Sequence, residues 1–149
     1  MIVYGIVLLL HILAATIWVG GHIILSTIIL PNALKERSPQ ILLSFEQKFE
    51  KIGMPALIVQ ILSGFYLAHR LVPNIGDWFN VSNPITHPIM LKLALLLSTI
   101  LLALNARFRV IPNLTAKSLP TMAWHIRTVT LFAILFAATG VSFKTGWLY

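Results

Sequence analysis

The chain contains no cysteine, which excludes disulfides, iron–sulfur clusters and thiolate metal sites. Charge is scarce. Only 10% of its residues are Asp, Glu, Lys or Arg, against about 25% in an average soluble domain. Acid is scarcest: Glu36, Glu46, Glu50 and Asp77 are the four carboxylates, and all lie outside the long apolar runs. That excludes catalysis by paired intramembrane carboxylates and leaves a nucleophilic triad without an acid member. It also argues against an ion-coupled secondary transporter. No glycine-rich phosphate loop or dinucleotide fingerprint occurs. Met1, Met54, Met90 and Met122 form no spaced array.

What the chain has is apolar length. Hydrophobic residues make up 58% of its 149 positions, and mean hydropathy is +0.88. The first charged residue is Lys35. About 20 apolar residues cross a bilayer core as a helix. The opening run is too long for a signal-peptide core and lacks a basic start, so it reads as a retained anchor.

The pattern predicts an all-α integral membrane protein. It would be a single membrane domain over 1–149, folded as a four-transmembrane-helix bundle. The spans run from about 2–30, 54–72, 88–109 and 121–143. The first is expected to stop at Pro31, while Pro55, Pro88 and Pro120 mark helix starts. A short amphipathic interfacial helix is expected over about 38–52, where Ile41, Leu42, Phe45, Phe49 and Ile52 recur at helical spacing. An extension of the second span accounts for that segment equally well. Pro73 to His87 reads as an exposed loop, with Trp78 and Phe79 at headgroup depth.

Basic residues set the expected orientation. Lys35, Arg37, Lys48 and Lys51 flank one loop, and Arg107, Arg109 and Lys117 flank another. Positive-inside counting places both loops in the cytoplasm. Both termini then lie on the periplasmic side of a bacterial inner membrane. The net charge of +7 reports this orientation and does not suggest nucleic acid as a partner.

The polar residues then sort by depth. An outer set holds His11, Lys92, His69 and His87; an inner set holds His22 and His125, with Arg127 nearby. His11 and His22 are eleven residues apart, about three turns and about 16 Å along one helix side. Trp18 shares that side. An intramembrane imidazole is costly and usually functional. Neutral imidazole ligates copper, zinc and haem iron, so His11, His22, His125, His69 and His87 are the candidate metal ligands. Lys92 has no carboxylate partner in any span; it snorkels outward, binds an anionic group, or loses its proton and acts as a ligand or base.

Three segments carry a family resemblance. LLHILAATIWVGG at Leu9 to Gly21 resembles the opening span of the copper-resistance CopD family. FEQKFEKIGMPALIVQILSGFYLA at Phe45 to Ala68 and IMLKLALLLSTILLALNARFRVIPNL at Ile89 to Leu114 continue it. His11, Trp18, Gly20, Gly21, Gly64 and Lys92 fall where that family's pattern has them. The resemblance implies copper uptake or tolerance. The HemJ membrane proteins, which act in haem synthesis, share a similar four-helix layout and match at His11 and Lys92. The last span here lacks their acidic-proline motif.

Ligand chemistry and resemblance agree on a metal centre handled inside a membrane bundle. Cuprous ion favours soft sulfur ligands, whereas this chain offers histidines, which suit cupric ion or haem. The first expectation is b-type haem, ligated by His11 or by the His22–His125 pair. Trp18, Lys92 and Arg127 would line the cofactor, with Lys92 and Arg127 neutralising its propionates. The function would be electron transfer or small redox chemistry, as in a membrane haem-dependent oxidoreductase, with a redox protein as partner. The alternative is copper uptake or tolerance, with His69 and His87 as an outer capture site and a copper-carrier protein as partner. A further alternative is a non-catalytic accessory subunit of a membrane complex. Oligomeric state is left open.

Overall fold

The computed structural model describes residues 1–148, and among them no strand occurs. Four helices are long and apolar enough to cross a membrane: Ile2–Lys35, Pro39–Leu71, Pro84–Asn113 and Leu119–Thr145. They alternate in direction. The first packs chiefly on the second, the fourth on the third and on the first. Most of their large apolar side chains point outward (Leu62 and Leu97 among them), as expected when lipid rather than water is the solvent.

The first helix does not stop at Pro31. Its α-helix covers Ile2–Ile24, a π-turn covers Leu25–Ile29, and α-helix resumes over Leu30–Lys35. Proline lacks an N–H and clashes with the carbonyl one turn back. The wider turn relieves this: Leu30 N–H reaches the Leu25 carbonyl, five residues earlier. A second π-turn, Ala106–Val110, ends the third helix before Ile111–Asn113 tightens to 3₁₀.

The turn after the first helix is short. Arg37 has φ 49°, Ser38 N–H donates to Ala33 O at 3.0 Å, and Arg37 N–H to Leu34 O at 3.3 Å. This is the Schellman arrangement, with arginine where glycine is usual. At the far end of the fourth helix, Gly146 takes the same left-handed conformation, φ 70°.

No separate interfacial helix forms over 38–52. That segment is the first half of one 33-residue helix, Pro39–Leu71, with Pro55 inside it rather than at its start. The reason is packing: Leu42 is fully buried, and Phe49 lies against the first helix at Trp18 and His22. These contacts hold the helix before the proline, and beyond it Ser63 meets His11 of the first helix at 2.9 Å. At 1.5 Å per residue it is about 50 Å long, so one end projects beyond a core of about 30 Å.

Large apolar burial concentrates at the two ends. Leu30, Ala33, Leu42, Leu119, Met122, Ala123 and Ile126 cluster at the end carrying the basic turns. Val72, Trp78 and Ile89 cluster at the opposite end. Trp78 is therefore no headgroup anchor. Its indole N–H donates to the Val72 carbonyl at 2.8 Å, and its ring stacks on Phe65 at 6.0 Å. Phe79 does remain exposed.

Candidate metal-handling site

Each helix turns a few polar groups toward its neighbours, and backbone or hydroxyl partners fix their orientation. His11 lies against the second helix. Ser63 Oγ donates to the Val59 carbonyl at 2.5 Å and lies 3.2 Å from the Gln60 carbonyl. Its one proton is thus committed to the backbone. The imidazole Nδ1–H therefore donates to Ser63 Oγ across 2.9 Å, leaving the Nε2 lone pair for a ligand. Gly64 permits this approach: a Cβ there would sit 3.3 Å from His11 Cε1.

Lys92 completes this level. It is close enough to His11 for their charges to interact. Its ammonium lies 5.6 Å from the Phe143 ring centroid, and a Cβ on Gly140 would be 3.5 Å from Nζ. The structure thus places Lys92 within electrostatic reach of His11. His69 is exposed at the end of the second helix. His87, half-buried, opens the third and donates Nε2–H to the Val81 carbonyl at 2.8 Å.

His22 forms a second level. Its Nδ1–H donates to the Trp18 carbonyl at 2.8 Å. The Trp18 and His22 rings are 4.4 Å apart, and Phe49 meets His22 edge-on at 5.8 Å. Phe49 fits there because Gly21 and Gly53 flank its ring with no side chain. Trp18 therefore acts as packing and, through its carbonyl, as the group that fixes the His22 tautomer.

His125 forms a third level. Its Nδ1–H donates to the Thr121 carbonyl at 2.9 Å, and Nε2 lies 2.9 Å from the Asn105 amide oxygen. A neutral ring has a single N–H, so either the amide turns its own N–H toward Nε2 or the ring carries a second proton. In both cases both nitrogens are occupied.

The expected His22–His125 pairing does not assemble. Thr130 Oγ1 donates to the His22 carbonyl at 3.1 Å, which sets His22 level with Thr130, five residues beyond His125. That is about 7.5 Å of helix. A haem held by two histidines needs two free nitrogens facing each other at one level, and this pair meets neither condition. Arg127 is exposed on the opposite face of the fourth helix from His125, so it does not line this interior. Among the described residues no group of three or more His, Asp or Glu is placed to hold a metal ion.

Several residues escaped the reading of the sequence. Ser63, Asn105 and Thr130 are ordinary residues in apolar helices, and only their cross-helix partners single them out. Gln60 carried a signal, being an amide in the middle of the second span. The Arg107–Glu50 pair, 3.6 Å apart and half exposed, ties the third helix to the second at the basic end.

Comparison with known proteins sharpens the assignment. No curated protein and no solved structure matches the chain. The family model described as copper resistance protein D, CopD, matches residues 43–143, two of the three segments that carried the resemblance. With the match covering more than half of the sequence, the chain belongs to the CopD family.

Proposed function

We propose that this protein handles copper as cargo within the membrane, binding it in passing at His11. The observation that carries this reading is the His11 imidazole, held through Nδ1 by Ser63 with Nε2 left to ligate. A ligating histidine almost always donates its other N–H to a fixing group. His22 has the same arrangement through the Trp18 carbonyl. Family membership supports the choice of metal.

Isolated imidazoles suit transit rather than storage. A closed site of several ligands holds its ion, whereas conduction needs sites weak enough to release it. Exposed His69 and half-buried His87 serve as the capture point, and His11 then His22 as steps inward. A copper-carrier protein would supply or accept the ion. The basic loops face the cytoplasm and both termini face the other side of a bacterial inner membrane. A periplasmic reporter fused at Lys117 is expected to be inactive, and activity there would reverse this orientation.

The first experiment is metal analysis and a visible spectrum on detergent-purified protein loaded with cupric ion, oxidised and reduced. About one copper per chain, lost on His11→Ala, is the expected result. Copper retained unchanged in His11→Ala overturns the assignment. A Soret band lost on His11→Ala would replace copper with haem. No metal of either kind would favour the accessory-subunit reading.

A further inference from the structure

Helical serine and threonine in an apolar setting normally donate to the carbonyl one turn back. Thr130 does so to Ile126, Thr139 to Leu135 and Ser63 to Val59. Ser142 and Thr86 also donate to backbone carbonyls. Thr99 is 5% exposed, yet among the described residues its hydroxyl has no partner. Among the described residues the only other buried side-chain polar atom in this condition is Gln60 Oε1. An orphaned buried polar atom costs free energy comparable to a lost hydrogen bond, so such atoms in native structures are usually paired with water.

The two orphans lie at neighbouring depths in the bundle. The Asn105–His125 bond sets the register of the third and fourth helices. Thr99 is six residues outward of Asn105, which brings it level with Thr130 and His22. Gln60 is one turn inward of Ser63, and so of His11. About 12 Å of helix axis separates the two levels. Between the apolar end clusters, apart from Leu95, the buried side chains are small or polar, Ala133 and Thr139 among them.

We infer that the four helices enclose a hydrated polar seam connecting the His11–Ser63–Gln60 level to the Thr99–Thr130–His22 level. Its ligand is water. A file of about three molecules spans the gap at about 2.8 Å per hydrogen bond, anchored by Gln60 Oε1 and Thr99 Oγ1. Lys92 and Phe143 cover the outer end, where the ammonium finds in this water the hydrogen-bond acceptors that no described residue supplies. As a path for copper the seam rests on the copper-handling reading; as a file of water it does not.

The chain has no cysteine, so single cysteines can be read against a silent background. The thiolate attacks a methanethiosulfonate, forming a disulfide and displacing methanesulfinate, and it forms readily only where water reaches the sulfur. Thr99→Cys and Gln60→Cys are made, with Leu97→Cys and Leu101→Cys as lipid-facing controls, both natural side chains being 59% exposed. Each is labelled in membranes with methanethiosulfonate ethylammonium, and again after unfolding in SDS to show that the thiol is present. Thr99→Cys and Gln60→Cys are expected to react at least about 100-fold faster than the controls. Reaction of both at the controls' rate overturns the seam, and reaction of one alone overturns its continuity. Copper binding is measured on separate protein, so failure of the seam and failure of the copper reading remain distinguishable.

Discussion

Gly20 and Gly21 are neighbours on the first helix, yet alanine at the two positions is expected to act with opposite sign. A Cβ on Gly20 meets nothing within 4 Å. There the only consequence is better helix propensity, about 1 kcal/mol in favour of alanine. A Cβ on Gly21 collides with the Phe49 ring. That ring cannot slide sideways freely, because it also lies against Gly53. Overpacking of this kind costs about 1–3 kcal/mol. Displacing Phe49 also weakens its contacts with His22 at 5.8 Å and Trp18 at 6.4 Å, each aromatic contact being about 0.5–1.5 kcal/mol. Less the propensity gain, Gly21→Ala should be about 1–3 kcal/mol less stable than the unmodified chain. The gap between the two variants is then about 2–4 kcal/mol. SDS unfolding in mixed micelles, followed by tryptophan fluorescence, reads it. Phe49→Leu in the Gly21→Ala background should recover about 1 kcal/mol or more as a coupling energy. If the two alanine variants unfold within about 0.5 kcal/mol of each other, the close approach of the first two helices is misplaced.

Three further outcomes follow from particular contacts. Trp78→Phe keeps the stack on Phe65 but leaves the buried Val72 carbonyl without its donor; a loss of about 1–3 kcal/mol is expected by the same unfolding assay. Arg37→Gly replaces a non-glycine residue at φ 49° and should stabilise by about 1 kcal/mol in the same assay. Ser63→Ala removes the acceptor that fixes His11 Nδ1–H. Copper affinity, measured by competition with a chelator, should fall about 10–100-fold while the helices stay intact.

Architecture was legible early because bilayer thickness and the absence of charge before Lys35 constrain a chain on their own. A run of apolar residues needs no partner to be recognised as a span. Helix ends were less legible. Pro31 and Pro55 signal breaks locally, but a π-turn accommodates the first, and packing at Phe49 before the second and at Ser63 beyond it carries the helix through. Trp78 looked interfacial because composition alone cannot tell a tryptophan in the headgroups from one folded under its own loop.

The histidines mark the boundary between the two kinds of knowledge. Sequence by itself determined that His11 and His22 share one helix side, since their spacing is set by the helical repeat. It also determined that Lys92 has no acidic partner within the apolar runs, because none of the four carboxylates lies in one. Only tertiary structure decided that His11 meets Ser63, that Asn105 occupies His125, and that His22 stands level with Thr130 rather than with His125. Those relations depend on the axial register between helices. Register is set by close fits such as Phe49 between Gly21 and Gly53, and no periodicity within one helix encodes its height against another.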